Sequence, residues 1–324
     1  MGIKAVEDII LQKKFLKYSV WERFAKRSMF KLKRIIWKPR INIVPFVFKK
    51  WGDIQVKLSS PPEKTGWEFR WYGYWEMEKT LSKEFREFCQ RIHRCSNGLT
   101  EEELEKQCFL SIINEIKDNQ IKMFELGAGA GRESLALAGV VDFNLVSGVG
   151  GKTYRCLAVE AEPTHYRWIV EHFEKQNIKG EVVHGAVSDK SGYVSFDVSL
   201  DPATFYGQAV VDNGGYQVRS FTVDELIEKY NFPKVNIVHL DVQGSELKVM
   251  LGAENSIKKS LIDYWIIGTH ERYLEEEIIK FCKEFYDIIL YIPQKSGLIK
   301  HSFYGMVFIP QDGLLILRNK KLSK

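Results

Sequence analysis

The stretch Met123-Phe124-Glu125-Leu126-Gly127-Ala128-Gly129-Ala130-Gly131-Arg132 constrains this chain more than any other. An apolar run, Ile121 to Leu126, meets three glycines at alternate positions. Behind them Glu133 to Val141 has helical spacing, with Leu135, Leu137 and Ala138 on the side to be buried. Strand, glycine turn and helix together let backbone N–H groups at a helix N-terminus approach a ligand closely. Glycine permits the positive φ such a turn needs, and a side chain at 127 or 129 would stand where the ligand must lie.

The spacing is E-x-G-x-G-x-G. A dinucleotide turn wants a glycine where Arg132 stands, so that helix and strand pack closely. Glu125 would repel a pyrophosphate but suits the ammonium of a bound amino acid. S-adenosylmethionine carries such an ammonium and no phosphate, and it is the cofactor this pattern predicts. Gly127, Ala128, Gly129 and Gly131 would supply the backbone around it.

The pattern downstream alternates strands and helices, as a doubly wound, mostly parallel sheet requires. A strand over Arg155 to Val159 runs into Glu160-Ala161-Glu162-Pro163. A carboxylate at the end of the second strand is what binds ribose hydroxyls in such folds, and Glu160 and Glu162 are both candidates. Pro163 also suits the first position of a helix, which would make Glu162 part of a helix N-terminus. After a third strand, Glu181 to His184, the small residues around Ala186 make a flat floor for a purine ring. Leu200 to Gln217 reads as a long loop, placed where substrate lids lie. Lys234 to Leu240 is a strand ending in Asp241, and Tyr264 to Ile267 is the next, ending at Gly268-Thr269-His270. Two late strands, Tyr304 to Ile309 and Leu314 to Leu317, suggest an antiparallel hairpin closing the sheet.

The front of the chain differs. Residues 1–50 hold fourteen Lys/Arg against three Asp/Glu, whereas the whole chain is only +5, so the remainder is acidic. Val6, Ile9, Ile10, Leu16, Val20 and Phe24 recur at roughly helical spacing with lysines and arginines between them. Such a helix fits an anionic membrane surface or an acidic partner, and equally a helix packed on the body or in a homo-oligomer. Trp51 to Trp75 is aromatic-rich, Glu76 to His93 reads as a helix, and Thr100-Glu101-Glu102-Glu103 opens another with a capping box. No apolar run reaches the roughly 18 residues of a membrane span, and no signal-peptide core is seen. Five cysteines, an odd and sparse set, fit a reducing cytoplasm. Cys89, His93, Cys95 and Cys108 match no common zinc spacing, and no metal is assigned.

Several further stretches occur in order. They are Phe124-Glu125-Leu126-Gly127-Ala128, Glu162-Pro163, Ala186-Val187-Ser188-Asp189, Thr222-Val223-Asp224-Glu225-Leu226, His239-Leu240-Asp241-Val242-Gln243-Gly244-Ser245-Glu246, Gly268-Thr269-His270 and Asp312-Gly313-Leu314-Leu315. As a set they resemble the FkbM-type methyltransferases, over about residues 120–320. The resemblance implies a Rossmann-like methyltransferase sheet and S-adenosylmethionine-dependent O-methylation of sugars or other natural-product hydroxyls. The expected division is an N-terminal region over 1–115 and a methyltransferase domain over 116–324. One departure matters: where the family's pattern has D-V-E-G-A-E, this chain has Gln243 and Ser245.

Methyl transfer needs an aligned acceptor oxygen and a group to take its proton. Asp241 and His270 end neighbouring strands beside the expected cofactor, and Asp241 is also a candidate cofactor contact. His270 is favoured as base because an imidazole titrates near neutrality. Asp241 would then orient it or hold the acceptor hydroxyl, and His239 reads as a core histidine. Two other readings stay open: RNA methylation, which the basic front suggests, and a non-catalytic cofactor-binding or membrane scaffold. Against the first, the chain has no Asn-Pro-Pro-Tyr or Asp-Pro-Pro-Tyr to cradle an extruded base, so nucleic acid is not the expected partner.

Overall fold

The structure, a computed structural model, describes residues 67–70, 74–80, 101–198, 201–203, 206–211, 215–301 and 305–323. The basic segment 1–50, the helix expected to run to His93 beyond Thr80, and the Cys89–Cys95 cluster lie outside them. Elements are numbered in chain order among the described residues.

The sheet grows from the apolar runs. Gln120–Leu126 (β3), Thr153–Glu160 (β4), Gly180–His184 (β5), Val235–Leu240 (β10), Ile262–Thr269 (β11) and Tyr286–Ile292 (β12) all run in one direction, and Gly313–Asn319 (β15), between β11 and β12, is antiparallel to both. Their order is β12-β15-β11-β10-β3-β4-β5. From β3 the chain winds outward through β4 and β5, then returns to place β10 on the other side of β3. That reversal opens a crevice at the carboxyl ends of β3 and β10, where ligands bind in open α/β sheets. Every residue of β10 is buried, as both faces of a central parallel strand are covered.

The pleat sends Met123, Ile237 and Ile266 to one face, against helices Glu101–Glu115 (α1) and Arg132–Asp142 (α2). Phe124, Val238 and Trp265 go to the other, against Val223–Lys229 (α4), Glu246–Leu251 (α5), Glu254–Lys258 (α6) and Arg272–Cys282 (α7). Helix α1 contributes Leu110, Ile112 and Ile113 to the first layer. The unit built on the sheet therefore takes in residues 101–115, ahead of the expected boundary at 115/116. No helix among the described residues is long and apolar enough to cross a membrane.

Three expectations are corrected. Glu76 does not start a helix: Trp75–Met77 is a strand (β2) paired with Trp67–Phe69 (β1), followed by a 3-10 turn over Glu78–Thr80. The stretch 200–217 is not all loop. It carries Val210–Val211 (β8) and the start of Tyr216–Phe221 (β9), which join Ala186–Val187 (β6) and Gly192–Phe196 (β7) in a second, four-stranded sheet. The main sheet is closed by β12 and β15, while the hairpin Lys295–His301 (β13) and Gly305–Gln311 (β14) stands apart as its own two-stranded sheet. Strands β14 and β15 are nearly contiguous, yet Gly313 aligns with Thr269 of β11 instead of turning back on β14.

The segment 74–80 is fastened beside the glycine turn. Glu76 is buried and meets Arg132 Nη2 at 2.8 Å and Arg70 Nε at 2.7 Å. The Met77 amide donates to His172 Nε2, and His172 Nδ1 donates to the Ala130 carbonyl inside the turn. Burial works against the Glu76 charge, but Arg132 and Arg70 outweigh it and bring its pKa down to about 2. A depressed carboxyl stabilises above its unfolded value and loses that contribution as pH falls through the folded one. Glu76→Gln should therefore cost roughly 3 kcal/mol at pH 7. It should also flatten the decline in stability from the ordinary value of 4.5 down to about pH 2, as read by urea unfolding at a series of pH values.

Candidate functional site

The glycine turn is shaped first by what lies behind it. Gly127 has φ +77°, and a Cβ there would overlap the backbone carbonyl of Asp241 across the β3–β10 gap. The amides of Gly127 and Ala128 both donate to the Val159 carbonyl at 3.1 Å, so the turn is tied to β4 as well. Gly129, φ +55°, faces the ring of Tyr206, where a Cβ would come within 3.2 Å. Gly131, φ +76°, caps α2 and lies close to Ile169.

A cavity opens along this turn. Its walls include Gly127, Gly129, Glu160, Ala186 and Asp241, five of the residues singled out from sequence. Glu125, Ala128, Gly131, Glu162 and His270 are not on them. Glu125 lies on the face of β3 that meets α2, and its carboxylate accepts from the Glu133 amide at 3.1 Å and from the Ser134 amide and hydroxyl. It anchors the helix N-terminus from below instead of reaching a ligand's ammonium. Glu162 is the N-cap of Pro163–Gln176 (α3), accepting from the His165 amide at 2.6 Å, with Pro163 in the first turn.

Glu160 is the carboxylate that reaches the cavity. One oxygen accepts from the Gly129 amide and the other from the Glu162 amide, both at 2.7 Å. Burial raises its pKa to about 7 against those two N–H groups. One end of the cavity is apolar, formed by Ala161, Val187, Phe196 and Val210 beside Ala186. The loop carrying Tyr206 covers the glycine turn: the ring stacks on His165 at 4.4 Å, His165 Nε2 bonds the Pro202 carbonyl, and the Tyr206 hydroxyl donates to the Thr80 carbonyl. Tyr206, His165, Gln208 and Phe196 were not among the expected site residues. The spacing of a loop does not say which of its aromatics turns inward.

At the other end the sheet brings Asp241 and His270 together, with Glu246 behind them. His270 Nδ1 donates to Glu246 Oε1 at 2.8 Å, and Nε2 lies 3.3 Å from Asp241 Oδ1. The Gln243 amide nitrogen donates to the same Oδ1 at 3.1 Å. The protein surrounding the cavity partly desolvates the Asp241 carboxyl and raises it to about 6, with His270 and His239 pulling the other way. Burial opposes a cation at His270, yet Glu246 and Asp241 outweigh it and bring its pKa up to about 9. With a carboxylate facing each ring nitrogen, His270 is an imidazolium at neutral pH. It stands behind Asp241, which itself is 43% exposed in the cavity. The neutral imidazole expected from the ordinary histidine pKa is not what this environment favours. His239 is buried below Asp241 in β10, bonded to Glu105 of α1 at 2.6 Å. There too Glu133 and Glu105 overcome burial and raise its pKa to about 10.

His270 should therefore titrate near 9 in NMR spectra of its ring protons, and Glu246→Gln should bring the midpoint back toward 6.5. Because the folded value is raised, the stabilisation is complete below about 6.5 and disappears as pH rises through about 9. A midpoint near 6.5 in the native protein would show that the carboxylate sandwich is not formed.

The sequence of the chain is similar to that of known methyltransferases. A family model described as the methyltransferase FkbM domain matches residues 125–297. The hexuronic acid methyltransferase AglP of Haloferax volcanii is 27% identical over 128 residues, 39% of this chain and 52% of that protein. A putative methyltransferase from Jannaschia sp. is 27% identical over 152 residues, 43% of this chain and 52% of its own. The matched stretch thus spans about half the length of each relative. The crystal structure of an FkbM methyltransferase from Methylobacillus flagellatus has 18% identity and a TM-score of 0.39, covering 63% of this chain and 45% of that one. The family model takes in more than half of the chain, and the chain belongs to the FkbM methyltransferases, enzymes that use S-adenosylmethionine.

Proposed function

We propose that the chain methylates a hydroxyl oxygen of a sugar or glycan, with Asp241 taking the proton. One observation carries this reading: His270 and Gln243 converge on Asp241 Oδ1, while the carboxylate stays exposed in the cavity. Oδ2 is then the atom left for an acceptor hydroxyl. A pKa of about 6 keeps Asp241 mostly ionised at pH 7 and still able to accept a proton as the oxygen becomes acidic.

The residues present fit the cofactor. Each Glu160 oxygen accepts one backbone amide and keeps a lone pair for a ribose hydroxyl. The apolar end at Ala186, Val187, Phe196 and Val210 suits a purine, and Gly127 and Gly129 line the wall beside it without side chains. When bound, the cofactor supplies an electrophilic methyl, whose S–C bond breaks as the acceptor's O–C bond forms. Asp241 and Glu246 with the His270 imidazolium sum to −1. That charge favours a sulfonium over its neutral thioether product and helps the site release the latter. The AglP relative, named for methylating a hexuronic acid, supports a sugar as acceptor.

The test offers labelled S-adenosylmethionine with neutral methyl hexopyranosides, methyl glucuronide and ribonucleosides, reading the product by NMR for a methyl ether. Transfer to a sugar oxygen is expected. Asp241→Asn should cut turnover by a factor on the order of 10²–10⁴ with S-adenosylhomocysteine affinity little changed. Label on nitrogen or carbon, or full turnover in that variant, would overturn the reading.

A further inference from the structure

The turn that leaves β10 for α5 contains two consecutive left-handed residues, Gln243 at φ +54° and Gly244 at φ +95°. Glycine adopts such backbone freely, whereas an L side chain does so at a cost. Four other non-glycine residues share this conformation among those described: Asn144, Asn177, Asn231 and Ser260. Each follows the end of a helix, and three are asparagine, which tolerates the region. Gln243 precedes its helix, caps nothing, and lines the cavity. A strained residue at a ligand wall is a reason to look for a role.

Its side chain shows one. The Gln243 amide nitrogen donates to Asp241 Oδ1 at 3.1 Å. An ionised carboxylate can only accept, so the chemistry fixes which end of the amide faces it. The amide oxygen is left without a partner among the described residues, beside Ser245 on the same wall. Asp241 Oδ2 and Gln243 Oε1 are thus two acceptor atoms on adjacent groups, and both call for a donor.

We propose that Gln243 positions Asp241 and selects the acceptor, its amide oxygen taking the hydroxyl next to the one that is methylated, so that the substrate is a neutral vicinal diol. This rests on the reading of Asp241 as the base. A carboxylate or phosphate at the neighbouring carbon brings no donor to Oε1, and its charge is repelled by Asp241 and Glu246. A hydroxyl satisfies Oε1 and adds no charge. A glutamate at position 243 would instead set a second carboxylate against Asp241, raising the proton affinity of both.

Two variants test this, Gln243→Gly and Gln243→Glu. Gln243→Gly relieves the backbone strain, so its melting temperature should equal or exceed that of the native chain, and its affinity for S-adenosylhomocysteine by calorimetry should stay within about twofold. With whichever methyl hexopyranoside the native chain methylates, kcat/KM should fall at least tenfold, mostly through KM. Deoxygenating the adjacent carbon of that sugar should cost the native chain a similar factor and Gln243→Gly almost nothing, since both remove the same hydrogen bond. An undiminished loss in Gln243→Gly would overturn the diol contact. So would better turnover of methyl glucuronide than of neutral hexosides by the native chain.

A second readout needs no acceptor. The Asp241 carboxyl carbon, assigned by its disappearance in Asp241→Asn, should titrate at higher pH in Gln243→Gly and higher still in Gln243→Glu. The other groups facing Asp241, namely His270 after β11, His239 in β10, Glu105 in α1 and Glu246 in α5, are unchanged in both variants. An unmoved midpoint would overturn the positioning role. If no hexoside is methylated while the midpoint moves as stated, the glycan reading fails and the Gln243–Asp241 contact stands.

Discussion

Gly127 lies against the carbonyl of Asp241 with no room for a single methyl between them. This contact joins the ends of β3 and β10, the two strands on either side of the reversal in the sheet, and the Asp241 amide adds a bond to the Leu126 carbonyl at 2.9 Å. Through it, the glycine turn and the Asp241 carboxylate are held as one rigid piece. The turn is also bonded to Val159, and through Gly129 to Glu160. Three strand ends are therefore fixed relative to one another before any ligand arrives, which is the preorganisation that alignment of two substrates requires.

The outer wall of the turn comes from far away in sequence. Arg132 occupies the position where a dinucleotide turn would have glycine, and its guanidinium reaches Glu76 instead of crowding β3. A buried carboxylate stays charged only if cations and donors surround it, and here Arg70, Arg132 and the Thr80 hydroxyl do so. The same segment carries the Thr80 carbonyl that receives Tyr206. Residues 74–80 thus contribute to closing the loop over Gly129, although the elements beneath it begin only at β3.

Much of this was legible in the sequence because periodicity and glycine spacing are local. The strands β3, β4, β5, β10 and β11 and the helix α2 fall where the apolar patterns put them, and the pairing of Asp241 with His270 follows from two adjacent strand ends. What was not legible depends on neighbours that spacing cannot supply. Glu125 and Glu160 share a face of the sheet, but Glu125 is covered by the N-terminus of α2, whereas Glu160, the last residue of β4, reaches the cavity. The small sheet of β6 to β9 is built from strands of two to six residues, too short to show an alternation against turn-forming residues. A histidine's ordinary pKa says nothing of two carboxylates arriving from α5 and β10.

That last point decides how the site divides its labour. Of Asp241 and His270, the imidazole has the higher proton affinity, so the resting proton lies on His270 and not on Asp241. Were His270 alone beside the acceptor, its cation would oppose approach to a sulfonium. Placed behind Asp241 and neutralised by the buried Glu246, it instead keeps Asp241 ionised and aimed. Glu246 in turn is fixed by the Gly244 amide at 2.9 Å. The left-handed turn at Gln243 and Gly244 therefore acts on both carboxylates, through an amide side chain on one and a backbone N–H on the other. The orientation of the Asp241 carboxylate is set by the same five-residue bend that carries the chain from β10 into α5.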